Sequence, residues 1–141
     1  MKRRRWRFKP RFWVIILLLV GLVVYLGYRR LNREDPAAQV LESYGLTATG
    51  NPERSIVQLP AAVAGTAFEP IAVALAAAGW DLEPYLGRQL TSLRYYVGMT
   101  DNAQLVHVHV FVNGNNPVGG YLEVSGTIYP LNTPELRIIK G

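Results

Sequence analysis

The chain has 141 residues, half of them apolar and 18 % charged, so a folded core is possible and wholesale disorder is excluded. The net charge of +5 is unevenly placed: residues 1–33 carry ten basic side chains and no acidic one, while residues 34–141 carry five basic against ten acidic, hence −5. The body of the chain is therefore acidic, and nucleic acid is not an expected partner. Cysteine is absent, which removes disulfides, thiolate metal sites and cysteine nucleophiles without choosing a compartment.

Residues 1–11 form a cationic tail, MKRRRWRFKPR, expected on the cytoplasmic side. Residues 12–28 come next, 17 residues without a charge and apolar on every side. At 1.5 Å of rise per residue, about 17–25 such residues cross a bilayer core. Seven basic residues precede this run, and Arg29, Arg30 and Arg33 lie beyond it, close to Glu34 and Asp35. The imbalance predicts an N-terminus in the cytoplasm and everything beyond Tyr28 outside, anchored by the lipid bilayer. Trp6, Phe8, Phe12 and Trp13 would mark one interface and Tyr25 and Tyr28 the other. A cleaved secretory signal is the competing reading. It is disfavoured because cutting after Gly27 leaves Tyr25 at −3, and cutting after Ala38 leaves Pro36 there, where a small residue is needed.

Residues 29–35 read as a short linker, which reaches at most about 3.5 Å per residue. Residues 36–141 read as an extracytoplasmic α+β domain. Asp35-Pro36 supplies an N-cap and a first-turn proline. Ala37, Val40, Leu41 and Tyr44 then form one apolar face, closed by Gly45. The stretch LTATGNPERSIVQLP predicts two short strands around a Gly-Asn-Pro turn, with Ile56, Val57 and Leu59 in the second. Thr66-Ala67-Phe68-Glu69 has the form of a capping box. It predicts a helix from Thr66 with Phe68, Ile71, Ala72, Leu75 and Ala78 buried and Gly79 at its end. From Arg88 the apolar period becomes two: RQLTSLRYYV, QLVHVHVFV and PVGGYLEVSG predict three antiparallel strands, with NGNNP turning the second into the third. The remainder, TIYPLNTPELRIIKG, offers a last short strand. The expected fold is two helices packed on one face of an antiparallel sheet of three or more strands.

Several of these segments together, LESYG, VQLP, FEPIAVALAAAGWDLEPYLGRQL and NNPVGG, resemble a family of small bacterial proteins, mostly from Gram-positive lineages. That family is catalogued as a domain of unknown function behind an N-terminal membrane segment. The similarity runs from about Gln39 to Tyr129, and its most specific pieces are Ala78, Gly79, Asp81, Leu82, Tyr85 and Gly87 with Val118-Gly119-Gly120. The resemblance implies a topology and an envelope location, and it brings no catalytic residue.

Two features carry candidate chemistry. His107 and His109 alternate with Val106, Val108, Val110 and Val112, so the valines should face the core and Leu105, His107, His109 and Phe111 the opposite side. The pair is a weak candidate for metal, since three or four protein ligands are usual and only carboxylates such as Glu123 could complete the set. The ordinary reading is the outward face of a strand, and a pH-sensitive contact is a further alternative, since histidine titrates near neutrality. The exposed face could serve as a docking surface or equally be covered by the C-terminal segment. The second feature is the connection holding Trp80, Asp81, Glu83, Tyr85 and Arg88. These are the side-chain types of carbohydrate sites, and equally of a loop in which Trp80 and Leu82 plug the core edge and Asp81 caps. Serines lack a nucleophile-elbow context, and no glycine-rich phosphate loop comes after a strand. The sequence thus predicts a membrane-anchored, non-catalytic binding or assembly module of the cell envelope, needing no cofactor and meeting another envelope or membrane protein. A metal-binding or metal-dependent enzyme using His107 and His109, and a structural tether, are the alternatives.

Overall fold

A computed structural model describes residues 10–31, 35–133 and 137–139, with side chains placed for all of these except Arg30 and Leu31. Lys2 to Lys9 of the basic tail, the expected interface residues Trp6 and Phe8, and Arg33 with Glu34 lie outside the described residues. Two compact units result, residues 1–34 and residues 35–141.

In the first unit, helix α1 runs Pro10–Leu31, about 33 Å at 1.5 Å per residue. Its stretch Pro10–Arg29 has a mean hydropathy of 2.2 and none of it is buried within the protein, so it is long and apolar enough to cross a membrane. Trp13, Tyr25 and Tyr28 are all exposed on it. Trp13 and Tyr28 are separated by about 22 Å of helix rise.

The second unit opens on α2, Pro36–Ser43, capped as expected: Asp35 Oδ1 accepts from the Ala37 N–H at 3.1 Å. Ala37, Val40 and Leu41 are buried. The end is a Schellman motif, in which Gly45 (φ 70°) donates to the Glu42 carbonyl and Leu46 to that of Leu41. The second helix, α3, spans Glu69–Ala77, three residues later than the capping box suggested. Thr66 Oγ1 does accept from the Phe68 N–H, but the Glu69 carboxylate reaches back to Gly65 rather than to Thr66. The box therefore organises a turn ahead of the helix. Of the expected stripe, Leu75 is buried while Phe68, Ile71, Ala72 and Ala78 are half-buried. The α3 C-terminus repeats the Schellman pattern through Gly79 and Trp80.

The sheet is antiparallel throughout, with strands β1 (Thr49–Gln58), β2 (Gln89–Thr100), β3 (Leu105–Asn113), β4 (Asn116–Val124) and β5 (Thr127–Pro130) side by side in that order. A short β6 (Ile138–Ile139) pairs with the end of β2. One expectation is corrected at β1, which is a single strand and not two around a turn. Between Thr49 and Glu53 the register slips against Tyr96 and Arg94, so Gly50-Asn51-Pro52 swells into a bulge without reversing the chain. β1 is the outermost strand, where a proline without an N–H is tolerated, and the 12-residue β2 is long enough to template it past the bulge.

A second correction concerns the layers. Val106, Val108 and Val110, none with measurable exposure, join Leu93, Tyr95, Val97, Leu122 and the α2 residues Ala37, Val40 and Leu41 in one core cluster. Phe111 belongs to another, with Leu75 of α3, Leu59, Leu82, Leu90, Val118 and Tyr121. The helices thus serve opposite faces of the sheet: α2 covers the valines, and Leu75 of α3 lies over Gly119, the cross-strand partner of Phe111. The consecutive glycines Gly119 and Gly120 make this possible. A Cβ on Gly119 would stand 2.5 Å from Leu75 Cδ2, and one on Gly120 would stand 3.0 Å from both Leu131 Cδ1 and the His109 carbonyl oxygen. Each glycine lets a large side chain come down on its own face of β4. Trp80 packs against both clusters, where β4 runs on past the short β5.

Candidate functional site

Strand register assembles the site. Cross-strand neighbours share a face, and two consecutive rows run across the sheet on the side away from the valines. One row is Glu53, Arg94, His109, Tyr121 and Pro130; the other is Tyr96, His107, Glu123 and Ile128. Arg94 donates through Nη1 to Glu53 Oε2 at 3.2 Å and through Nη2 to His107 Nδ1 at 3.4 Å. His109 Nε2 meets Glu123 Oε2 at 2.5 Å. The His109 ring stacks on Tyr121, centroids 4.7 Å apart and planes within 3°. Tyr96 leans on His107 at 5.9 Å. The result is a polar ladder across four strands, its charged groups alternating in sign.

Burial and charge set its protonation. Burial pushes the His107 ring below its ordinary value, and the neighbouring Arg94 guanidinium pushes it further; Glu123 and Glu53 pull the other way. Burial also lowers His109, and here it outweighs the upward pull of the bonded Glu123 carboxylate. Tyr121, buried beside Glu123, is pushed up to about 12. Both shifts favour the neutral ring, and a neutral His109 contacts Glu123 through a protonated Nε2.

Against the expected sites the outcome is mixed. His107 and His109 do share the face away from the valines. Phe111 does not remain on the surface with them: it is 1 % exposed, covered from the α3 side. Alternation fixed its face, but only the position of α3 decided that this end of the face is core. Glu123 does approach the histidines, and Arg94 donates to His107 Nδ1, so that nitrogen faces a guanidinium. Among the described residues no three His, Cys, Asp or Glu side chains gather as a metal-binding group. Arg94 and Glu53 escaped notice in the sequence. Alternation could have placed Arg94 on a face, but its partners depend on a register that one strand alone does not reveal.

The Trp80–Arg88 connection divides by depth. Leu82 is buried, and Trp80 and Tyr85 pack against the cluster containing Phe111. The Trp80 indole N–H is buried with no acceptor among the described residues. Asp81 Oδ1 accepts from the Glu83 N–H at 3.0 Å, as a local cap, and Glu83 opens a short 3₁₀ turn to Tyr85. Asp81, Glu83 and Arg88 are exposed. The backbone of the connection is tied to the end of β1: Leu59 donates to the Arg88 carbonyl, and Gln58 Nε2 to that of Gly87. An open cavity of about 520 Å³ lies between α3 and β5, lined by Thr66, Glu69, Val73, Ala74, Ile128 and Pro130 among others. It adjoins the ladder through Ile128 and Pro130, which end its two rows.

No protein-family model, no curated protein and no solved structure matches this chain.

Proposed function

We propose that the chain is a single-pass envelope protein with its N-terminus in the cytoplasm, and that its outer α+β domain is a non-catalytic binding or assembly module. The observation that carries this reading is the sheet face left open beside α3. There Tyr96, His107, His109 and Glu123 are only half-buried, and a cavity borders them. A face of aromatic bodies with polar tips has the composition of a docking surface, and the ladder fixes those side chains in place before any partner arrives. The seven basic residues ahead of the apolar helix support the orientation, since positive charge is retained in the cytoplasm. The four-residue step from Leu31 to Asp35 supports a site of action close to the bilayer, favouring membrane proteins or nascent wall material as partners. The resemblance to small membrane-anchored bacterial proteins is part of the same proposal.

Photo-crosslinking in cells from positions 96 and 128 tests the surface. The expected result is one envelope component captured from both positions and lost when His107 and His109 are replaced by alanine. Capture of nothing beyond lipid from either position would sink the idea. Protease added outside protoplasts should remove the domain, and its full protection would reverse the orientation.

A further inference from the structure

The two histidines hold opposite hydrogen-bond roles. Every N–H of an arginine donates and none accepts. At the Arg94 Nη2 contact, His107 Nδ1 must therefore present its lone pair, which leaves the ring proton on Nε2. His109 faces a carboxylate, which only accepts, so its Nε2 carries the proton. A second proton on His109 leaves its bond to Glu123 intact and strengthens it by charge. A second proton on His107 has the opposite effect, removing the acceptor and setting an imidazolium against a guanidinium. Among the described residues, the other side-chain partner of Arg94 is Glu53, whose side chain is 78 % exposed on the outermost strand.

We propose that the Arg94–His107 contact is an acid-sensitive latch across β2 and β3. It holds Arg94 down on the sheet while His107 is neutral, and releases it towards Glu53 and solvent when His107 takes a proton. Protonation of His107 alone cancels the net negative charge of the face, and the sign reverses once His109 is protonated as well. With neutral rings, Arg94 stands against Glu53 and Glu123; with both rings protonated, three cations stand against the same two carboxylates. The groups around His107 are Arg94 and Tyr96 from β2, His109 on β3 itself, Tyr121 and Glu123 from β4 and Glu53 from β1. β5 presents the uncharged Ile128, and α3 presents Glu69, bonded at 2.9 Å to the Gly65 N–H. Arg94 and burial oppose protonation of His107, and the carboxylates favour it. The net effect is release below the ordinary histidine range. The latch is a property of the face itself and stands whatever the partner proves to be.

The test is a pH titration of the full chain in detergent micelles, following both rings by ¹⁵N and ¹³C NMR, with His107→Gln and His109→Gln as assignment variants. At neutral pH the His107 nitrogens should report the Nε2–H tautomer, and its midpoint should lie below 6.5, the ordinary histidine value. Arg94→Gln should raise the His107 midpoint. Glu53→Gln, a change at an exposed edge that leaves the fold untouched, should lower it. An Nδ1–H tautomer at His107 would overturn the latch without recourse to any variant. A midpoint unmoved by both substitutions would overturn it equally.

Discussion

The two faces of β3 are built from the same nine residues and behave as different materials. On one, Val106, Val108 and Val110 have no measurable exposure and lie under α2. On the other, Phe111 is equally buried under α3, yet two and four residues back the face opens into the ladder of His109 and His107. The first face is uniform because nothing polar interrupts it. The second changes character along its length because α3 covers only one end. Burial along a strand is thus decided by what the neighbouring layer reaches, and alternation alone does not report that reach.

The comparison breaks most severely on the valine face. Val108→Asp would place an unpaired carboxylate where no water enters, at a cost of about 3–5 kcal/mol or more. Loss of cooperative unfolding by circular dichroism is the expected outcome, and a stable variant would deny that this face is the core. Phe111→Ala comes next. Truncation of a fully buried phenylalanine costs about 3–5 kcal/mol, and chemical denaturation should show a loss of that size. A cost near that of a surface change would mean that α3 does not cover this end of the sheet.

The pH dependence is smaller and belongs to the ladder alone. Both rings sit below their ordinary value in the folded chain, so as the pH falls through about 6.5 the unfolded chain takes up protons first. Stability is therefore greatest above that range and declines on acidification towards the lowered values. The difference in denaturation midpoint between pH 7.5 and pH 5.5 should shrink in the His107→Gln/His109→Gln double variant. A difference of unchanged size would place the acid sensitivity elsewhere. Smallest of all is Ile56→Thr on β1. Ile56 shares the valine side of the sheet but is 74 % exposed at its rim, so the change should stay within about 0.5 kcal/mol. A larger loss would reveal a cover over the edge strand.

Much of this architecture was legible in the residues, and the gaps have identifiable causes. The α2 cap at Asp35, both terminal glycines and the alternation of β3 arise from local chemistry, and the structure repeats them. The Asn51-Pro52 stretch misleads because the same residues serve a turn or a bulge, and the choice belongs to the neighbouring strand. The late start of α3 has a similar cause, since a threonine and a glutamate three apart organise a turn as readily as a first helical turn. For the site, the histidines and Glu123 were visible as types on faces, whereas Arg94 and Glu53 became relevant only through pairing.

By itself, then, the sequence determined the apolar helix at the N-terminus, the α+β class of the domain behind it and the side of β3 each residue occupies. These rest on composition and on periods of 3.6 and two, which are properties of neighbours along the chain. The tertiary structure decided that the helices lie on opposite faces, that Phe111 is core, and that Arg94 is held between Glu53 and His107. Those outcomes depend on strand register and on two adjacent glycines admitting side chains from above and below. Both are contacts between residues far apart in sequence, and no local pattern encodes them.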